Sequence, residues 1–431
     1  MIQTADSADT DQAGELRRAM ADRLLAQGWI SSPAVEAAFR AVPRHLFVPT
    51  GTPLDMAYAT DAAPVAKTSP DGVNLSTVSA PWLQARMIAQ AGIEPGMRVL
   101  EIGSGGYNAA LLAEVTGRDG LVVTVDIDPD ITAFASVALK AAGYGDRVRV
   151  VTADGEHGYQ DDAPYDAIIV TVQAWDIPPA WTGQLVPGGT LVVPLRMNLV
   201  GRSLAFRRES DRRLASLSAE LCGFVPMQGT GAHQEHSFRV PDPGGGHVTL
   251  RFDQSLPDAP SQLEGALASG PVTEWSGVTI PNATSFEDLH LWLASFLPGF
   301  CKVGAGKGTA LASLGVSRGW FPYGAAHGDS FCYQASRRLG GDGQIEFEFG
   351  AGGYGPRAAN VAAAFNDQVR HWDASGRDLP GDAFAFWPAG TEIPDMPGPV
   401  SVFPKAHGTV TVSWADAARR RVPQAPAPPM P

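Results

Sequence analysis

Apolar positions change their period along this chain. Gln12 to Gln27 and Pro33 to Val42 carry them at helical spacing, and Ser32 before Pro33 reads as an N-cap followed by a first-turn proline. From Val99 onward, β-branched runs alternate with helical ones: "RVLEI", "YNAALLAEV", "LVVTVDI", "PDITAFASVALKAAG", "VRVVTAD", "DAIIVTV" and "TLVVPL". Nearly continuous apolar strands separated by helices predict a parallel sheet covered on both faces, a doubly wound α/β layer. Beyond Val240 the rhythm changes. "PDPGGGH" (Pro241 to His247) marks a break, after which strand-like runs such as "QIEFEFG" mix with helical ones such as "SFEDLHLWLASFL". The expected organisation is a helical region over 1–60, a Rossmann-like domain over 61–240, an α+β domain over 241–420 and a Pro/Ala-rich disordered tail over 421–431.

Composition narrows the class. A chain of 431 residues with 44% hydrophobic content can bury a large core, and a net charge of -13 opposes a general nucleic-acid or anionic-membrane surface. The N-terminal residues are polar and acidic, and no stretch approaches a membrane span, so the cytoplasm is the expected compartment. Cys222, Cys301 and Cys332 are too widely spaced for a disulfide framework or a zinc knuckle and read as ordinary buried thiols.

The chemistry concentrates in "VLEIGSGGYNAALLAEVTG" (Val99 to Gly117). A dinucleotide fingerprint needs G-x-G-x-x-G; Gly103 and Gly105 supply the first two glycines, but Asn108 stands at the third. Glu101, at the strand end, would repel a pyrophosphate and suits a ligand carrying an ammonium and a sulfonium. S-adenosyl-L-methionine (SAM) is such a ligand. Asp126 ends the next strand, where a carboxylate takes ribose hydroxyls, and Asp154 ends the third, placed to meet an adenine amino group. Acids at three successive strand ends beside one glycine turn predict a nucleoside crevice. The candidate cofactor residues are Glu101, Gly103, Ser104, Gly105, Gly106, Tyr107, Asp126, Ile127, Asp154, Gly155 and Thr171. Read as plain structure, the same acids are helix caps and solvated turns.

"VPRHLFVP", "STVSAPWLQARM", "VLEIGSGGY", "ADGEHGYQDDAPYDAIIVT" and "IPPAWTGQLVPGGTLVVPL" together resemble, in that order, protein-L-isoaspartate O-methyltransferases, from about Leu16 to Phe224. The resemblance implies a Rossmann-like SAM-dependent methyltransferase domain and methyl transfer to a peptide or protein carboxylate. The family's G-[ST]-G-S-G-Y turn is one residue shorter here, and its repair enzymes usually lack a long second domain. The whole plan is most similar to the branch associated with lanthipeptides and other modified peptides, which implies esterification of an aspartate leading to a succinimide or isoaspartate. General isoaspartyl repair is the alternative; a non-catalytic peptide-binding module and a nicotinamide oxidoreductase are more distant readings.

The family's substrate loop matches Thr77-Val78-Ser79-Ala80-Pro81, which implies that Ser79, and next Thr77, donates to the acceptor carboxylate, with Val78 and Ala80 beside the substrate. As plain structure, Ser79 would cap the following helix. A carboxylate is already ionised at neutral pH, so its methylation needs alignment and desolvation but neither a base nor a metal. Trp175 and Trp181 flank prolines after the fourth strand and are candidates to wall a peptide cleft. "CKVGAGKGTA" lacks the first glycine and the hydroxyl of a phosphate loop, and "HQEH" (His233 to His236) lacks a third ligand, so neither a nucleotide nor a metal is expected there. Phe286, Leu289, Trp292, Leu293 and Phe296 form a stripe at helical spacing, read as core.

Overall fold

A computed structural model of the chain describes residues 7–209, 211–313, 322–340 and 345–414. Helices Ser7–Ala26 and Pro33–Ala41 open it, and the Ser32 hydroxyl accepts the Val35 amide at 3.5 Å as the N-cap. A small hairpin, Val65–Thr68 with Asn74–Thr77, leads into helix Pro81–Ala91.

The apolar runs then build the expected parallel layer. Strands Arg98–Ile102, Leu121–Asp126, Val148–Thr152, Tyr165–Val170 and Leu185–Met197 are parallel, with helices Tyr107–Thr116 and Pro129–Ala141 in the first two crossovers. Arg98–Ile102 lies between Leu121–Asp126 and Tyr165–Val170, so the strand order reverses beside it. In open α/β sheets the crevice beyond the carboxyl ends of the strands at such a reversal is where ligands bind.

The rest of the chain departs from the expected division. "PDPGGGH" is the turn of a hairpin between His236–Pro241 and His247–Phe252, with Gly245 and Gly246 at φ +106° and +82°. These strands begin a seven-stranded antiparallel sheet that runs to Glu346–Tyr354 and Val272–Pro281. The chain then returns to the first sheet, to which strands Phe384–Pro388, Val400–Pro404 and Gly408–Ser413 belong, making it ten-stranded. The described residues between 241 and 414 are therefore divided between two sheets, an arrangement that local periodicity does not encode because it depends on pairing with Leu214–Glu220, more than 150 residues earlier. One continuous core joins the sheets, from Leu100 and Val123 through Leu289, Trp292 and Leu293 to Phe349 and Trp372. The helical stripe is thus core, with Phe286 and Phe296 at its margin. The expected tail 421–431 lies outside the described residues. Among the described residues, no helix is long and apolar enough to cross a membrane.

Candidate active site

A cleft of about 820 Å³, open mouth included, sits at the strand reversal. Small-molecule sites span about 300–1,000 Å³. Its floor is the glycine turn. Gly103 has φ +94°, and a Cβ there would lie 2.6 Å from the Thr171 Oγ1, which itself donates to the Gly103 carbonyl at 2.7 Å. Only glycine permits that approach. Gly105 faces open space, whereas Gly106 (φ +81°) turns toward Phe47 and Ala135 and lets helix Tyr107–Thr116 start close to its neighbours. The Asp126 carboxylate fixes the turn by accepting the Ser104 amide at 2.8 Å and the Asp128 amide at 2.9 Å.

Glu101 is buried beneath the turn. Its oxygens accept from Asn108 Nδ2 at 2.8 Å and Thr124 Oγ1 at 2.5 Å. Burial pushes its carboxyl up to about 7, against the pull of those two donors, and Asp126 adds to the rise. Asn108, at the position where a dinucleotide turn needs glycine, thus orients the acid below. Three buried polar atoms of cleft-lining residues, Ser104 Oγ, Tyr107 OH and Asn108 Oδ1, have no protein partner. Buried groups of this kind are normally satisfied. A carboxylate, two hydroxyls and an amide oxygen fit a ligand with a cationic amino-acid end and a ribose, as SAM has.

The opposite wall is the segment Thr77 to Ser79. Its shape depends on Arg44, whose fully buried guanidinium donates to the carbonyls of Ser79 (2.9 Å), Val78 (3.3 Å), Ala62 (3.3 Å) and Ala57 (2.9 Å), and to Gln84 Oε1 at 3.1 Å. It also lies 4.7 Å over the Tyr107 ring. Burial lowers its pKa to about 10, so the charge persists at neutral pH. The segment is held by its backbone, which leaves the side chains of Thr77 and Ser79 free to face the cleft. Ser79 does not cap the helix: Ala80 occupies the N-cap position, without a side-chain bond.

The structure brings Thr77, Val78, Ser79, Glu101, Gly103, Ser104, Gly105, Tyr107, Asp126, Ile127, Gly155 and Thr171 to one cleft. Five candidates are not among the residues lining it: Ala80, Gly106, Asp154, Trp175 and Trp181. Ala80 and Gly106 are the N-cap residues of helices Pro81–Ala91 and Tyr107–Thr116. Asp154 caps the short turn Gly155–His157 through the Glu156 amide at 3.0 Å and also accepts the Thr230 amide at 2.8 Å. Trp175 is stacked on His233, with ring centroids 4.6 Å apart. Trp181 is fully buried, donating to the Gly155 carbonyl at 2.8 Å, so it walls no peptide groove.

Sequence reasoning missed Arg44 and the segment Val225 to Gln228, which lines the cleft through the bond from the Gln173 amide to the Val225 carbonyl at 2.8 Å. Four residues outside any repeating pattern carry no periodic signal. Among the described residues, no cluster of three His, Cys, Asp or Glu suits a metal ion. The stretch resembling a phosphate loop is the strand Phe300–Ala305 and the turn after it.

The protein-L-isoaspartate(D-aspartate) O-methyltransferase family model matches residues 15–232. The chain belongs to that family. The match ends just before strand His236–Pro241, so the second sheet lies beyond it. Protein-L-isoaspartate O-methyltransferase from Hyperthermus butylicus is 37% identical over 236 residues, covering 53% of this chain and 95% of its own length. The enzyme named protein-L-isoaspartate O-methyltransferase 2 from Archaeoglobus fulgidus is 40% identical over 224 residues, covering 50% of this chain and 94% of its own. A solved protein-L-isoaspartate O-methyltransferase superposes with a TM-score of 0.48 at 22% identity, over 86% of this chain and 95% of that one.

Proposed function

We propose that this member of the family is a SAM-dependent carboxyl methyltransferase acting on isoaspartyl residues of proteins and peptides, in the manner of a general repair enzyme. The observation that supports it is that one cleft is lined by the buried Glu101, the glycine turn and the hydroxyl-bearing residues Thr77 and Ser79. SAM supplies an electrophilic methyl group on a sulfonium. Glu101 holds the cationic end of the cofactor, Asp126 takes ribose hydroxyls, and Ile127 and Gly155 flank the base. Ser79, with Thr77, donates to the acceptor carboxylate and aligns it in line with the methyl group. Alignment of this kind accounts for about 7–11 kcal/mol of a barrier in favourable cases. No proton has to be removed, because the acceptor is ionised at neutral pH.

The ester is not an endpoint. The following backbone nitrogen attacks the esterified carbonyl, methanol leaves and a succinimide closes, which water opens partly to aspartate. The narrower role in a ribosomally made, modified peptide draws on the long second lobe, and none of its residues line the cleft.

The test uses SAM carrying a labelled methyl group, with an isoaspartyl peptide, its aspartyl counterpart and a constrained aspartyl peptide. Label should enter the isoaspartyl peptide and return as methanol after mild base. Ser79→Ala should slow that transfer about 10–100-fold, the loss of one hydrogen bond to a charged group, with SAM binding within twofold. Label retained on nitrogen or sulfur would sink the proposal. Transfer confined to the constrained aspartyl peptide would replace repair by a biosynthetic role.

A further inference from the structure

The segment from Val225 to His233 runs like a strap from the cleft to the second sheet. At the cleft its amides and carbonyls bracket Gln173, with the Met227 amide donating to the Gln173 carbonyl at 3.0 Å. Gly229, at φ +77°, passes so close to Asp154 and Ile127 that a Cβ would lie 2.5 and 2.7 Å from their side chains, and the next amide, Thr230, donates to Asp154. The strap therefore fixes the side of the cleft formed by Ile127 and Gly155.

Its far end is gripped by groups outside the family match or contacting them. The His233 ring stacks on Trp175 with an interplanar angle of 7°. Its Nε2 lies 2.8 Å from the Asp253 carbonyl and 3.2 Å from Asp253 Oδ1, both acceptors, so this nitrogen carries the proton. Asp253, just past strand His247–Phe252 of the second sheet, has a side chain 1% exposed and is held by Arg196 Nε at 2.6 Å. Two residues beyond His233, Glu235 pairs with the same guanidinium at 2.7 Å. Lys405, in the turn between strands Val400–Pro404 and Gly408–Ser413 of the first sheet, lies 4.3 Å over the Trp175 ring and donates to the Arg196 carbonyl at 2.7 Å. The segment carrying His233 is thus tied to both sheets.

We propose that the second sheet sets the cofactor affinity of the cleft through Asp253, which acts as a positioning residue by holding His233 and with it the strap Val225 to His233. Neither residue touches the cleft; their effect passes along the backbone to Val225–Gln228 and Asp154. The family fold supplies the cleft, and this chain's added lobe fastens one of its walls.

The proposal rests on the cleft being the SAM site, and the experiment separates the two. In the full-length protein, calorimetry with S-adenosylhomocysteine is compared between wild type, His233→Ala, His233→Gln and Asp253→Asn, alongside KM values for SAM and for an isoaspartyl peptide. His233→Ala should raise the Kd for S-adenosylhomocysteine and the KM for SAM five- to twentyfold, with the KM for the peptide within twofold and kcat at saturating SAM retained. His233→Gln, which keeps a donor toward Asp253, should recover part of the loss. Should Asp253→Asn fail to fold, the loop variant His233→Ala, whose side chain is 19% exposed, carries the test alone. A folded His233→Ala protein with a Kd within twofold of wild type would overturn the proposal, as would an equal rise in both KM values. Wild type that binds no S-adenosylhomocysteine would instead overturn the cofactor reading beneath it.

Discussion

Burial holds the Glu101 carboxyl at about 7, which makes the unliganded cleft sensitive to pH near neutrality. Because the folded-state value is raised above 4.5, this group favours folding fully below its ordinary value and ceases to as pH rises through about 7. A cationic ligand favours the ionised form, so binding of SAM should tighten by up to about tenfold per pH unit below 7 and level off above it. Calorimetry from pH 5.5 to 8.5 would check this, and Glu101→Gln should flatten the profile. A wild-type affinity that falls with rising pH would refute the assignment. Arg44 belongs to the same scale. Arg44→Lys replaces a planar fork serving four carbonyls and an amide oxygen with one compact ammonium, leaving buried acceptors unpaired at about 1–3 kcal/mol each. The melting temperature should fall, and the KM for the isoaspartyl peptide should rise more than the Kd for S-adenosylhomocysteine. Glu101 is legible in the sequence because it ends an apolar strand before glycines. Arg44 is not, since four of its five acceptors are backbone carbonyls, up to 35 residues away, to which any sequence contributes equally.

At the scale of elements, the strap depends on a glycine that its sequence does not advertise. Gly229→Ala should both strain a residue at φ +77° and drive a methyl group into Asp154 and Ile127. The expected loss is about 1–2 kcal/mol in stability from the left-handed backbone alone, with a weaker SAM affinity besides. Gly105→Ala meets nothing within 4 Å and should fold as wild type, which makes it the control for thermal melting. The parallel strands and their helices follow the apolar periodicity closely because each is buried by its immediate neighbours in the chain; Arg98–Ile102 coincides with "RVLEI". The turn "PDPGGGH" misleads for a related reason. Proline and glycine mark a change of direction, and whether the chain then pairs with itself or enters a new unit depends on partners such as Phe300–Ala305, which are remote in sequence.

At the scale of the whole molecule, the two lobes cannot be parted at residue 240 as the change of rhythm suggests. Helix Glu287–Phe296 packs against Val200–Arg208 of the first sheet, and Arg202 from that strand donates to the Glu287 carbonyl at 2.8 Å and meets Asp288 at 3.3 Å. Asn198 Nδ2 donates to the Ala294 carbonyl at 2.6 Å. Leu195, Met197, Leu199, Leu204 and Phe206 share one core with Trp292, Leu293, Phe403 and Trp414. A fragment ending at residue 235 would therefore keep every cleft residue yet lose Asp253, the three returning strands and part of the cover over that core. Exposing a well-buried apolar side chain costs about 1.5–3 kcal/mol, and a domain has only about 5–15 kcal/mol to lose. The matched segment spans 95% and 94% of the lengths of two relatives, so the fragment's weakness would come from the apolar surface that this sequence buries against its own second lobe. Expressed alone, it should aggregate or melt well below the full chain and bind S-adenosylhomocysteine more weakly. A fragment that stays monomeric in sedimentation, melts within a few degrees of the full chain and binds with the same Kd would show that the lobes are independent after all.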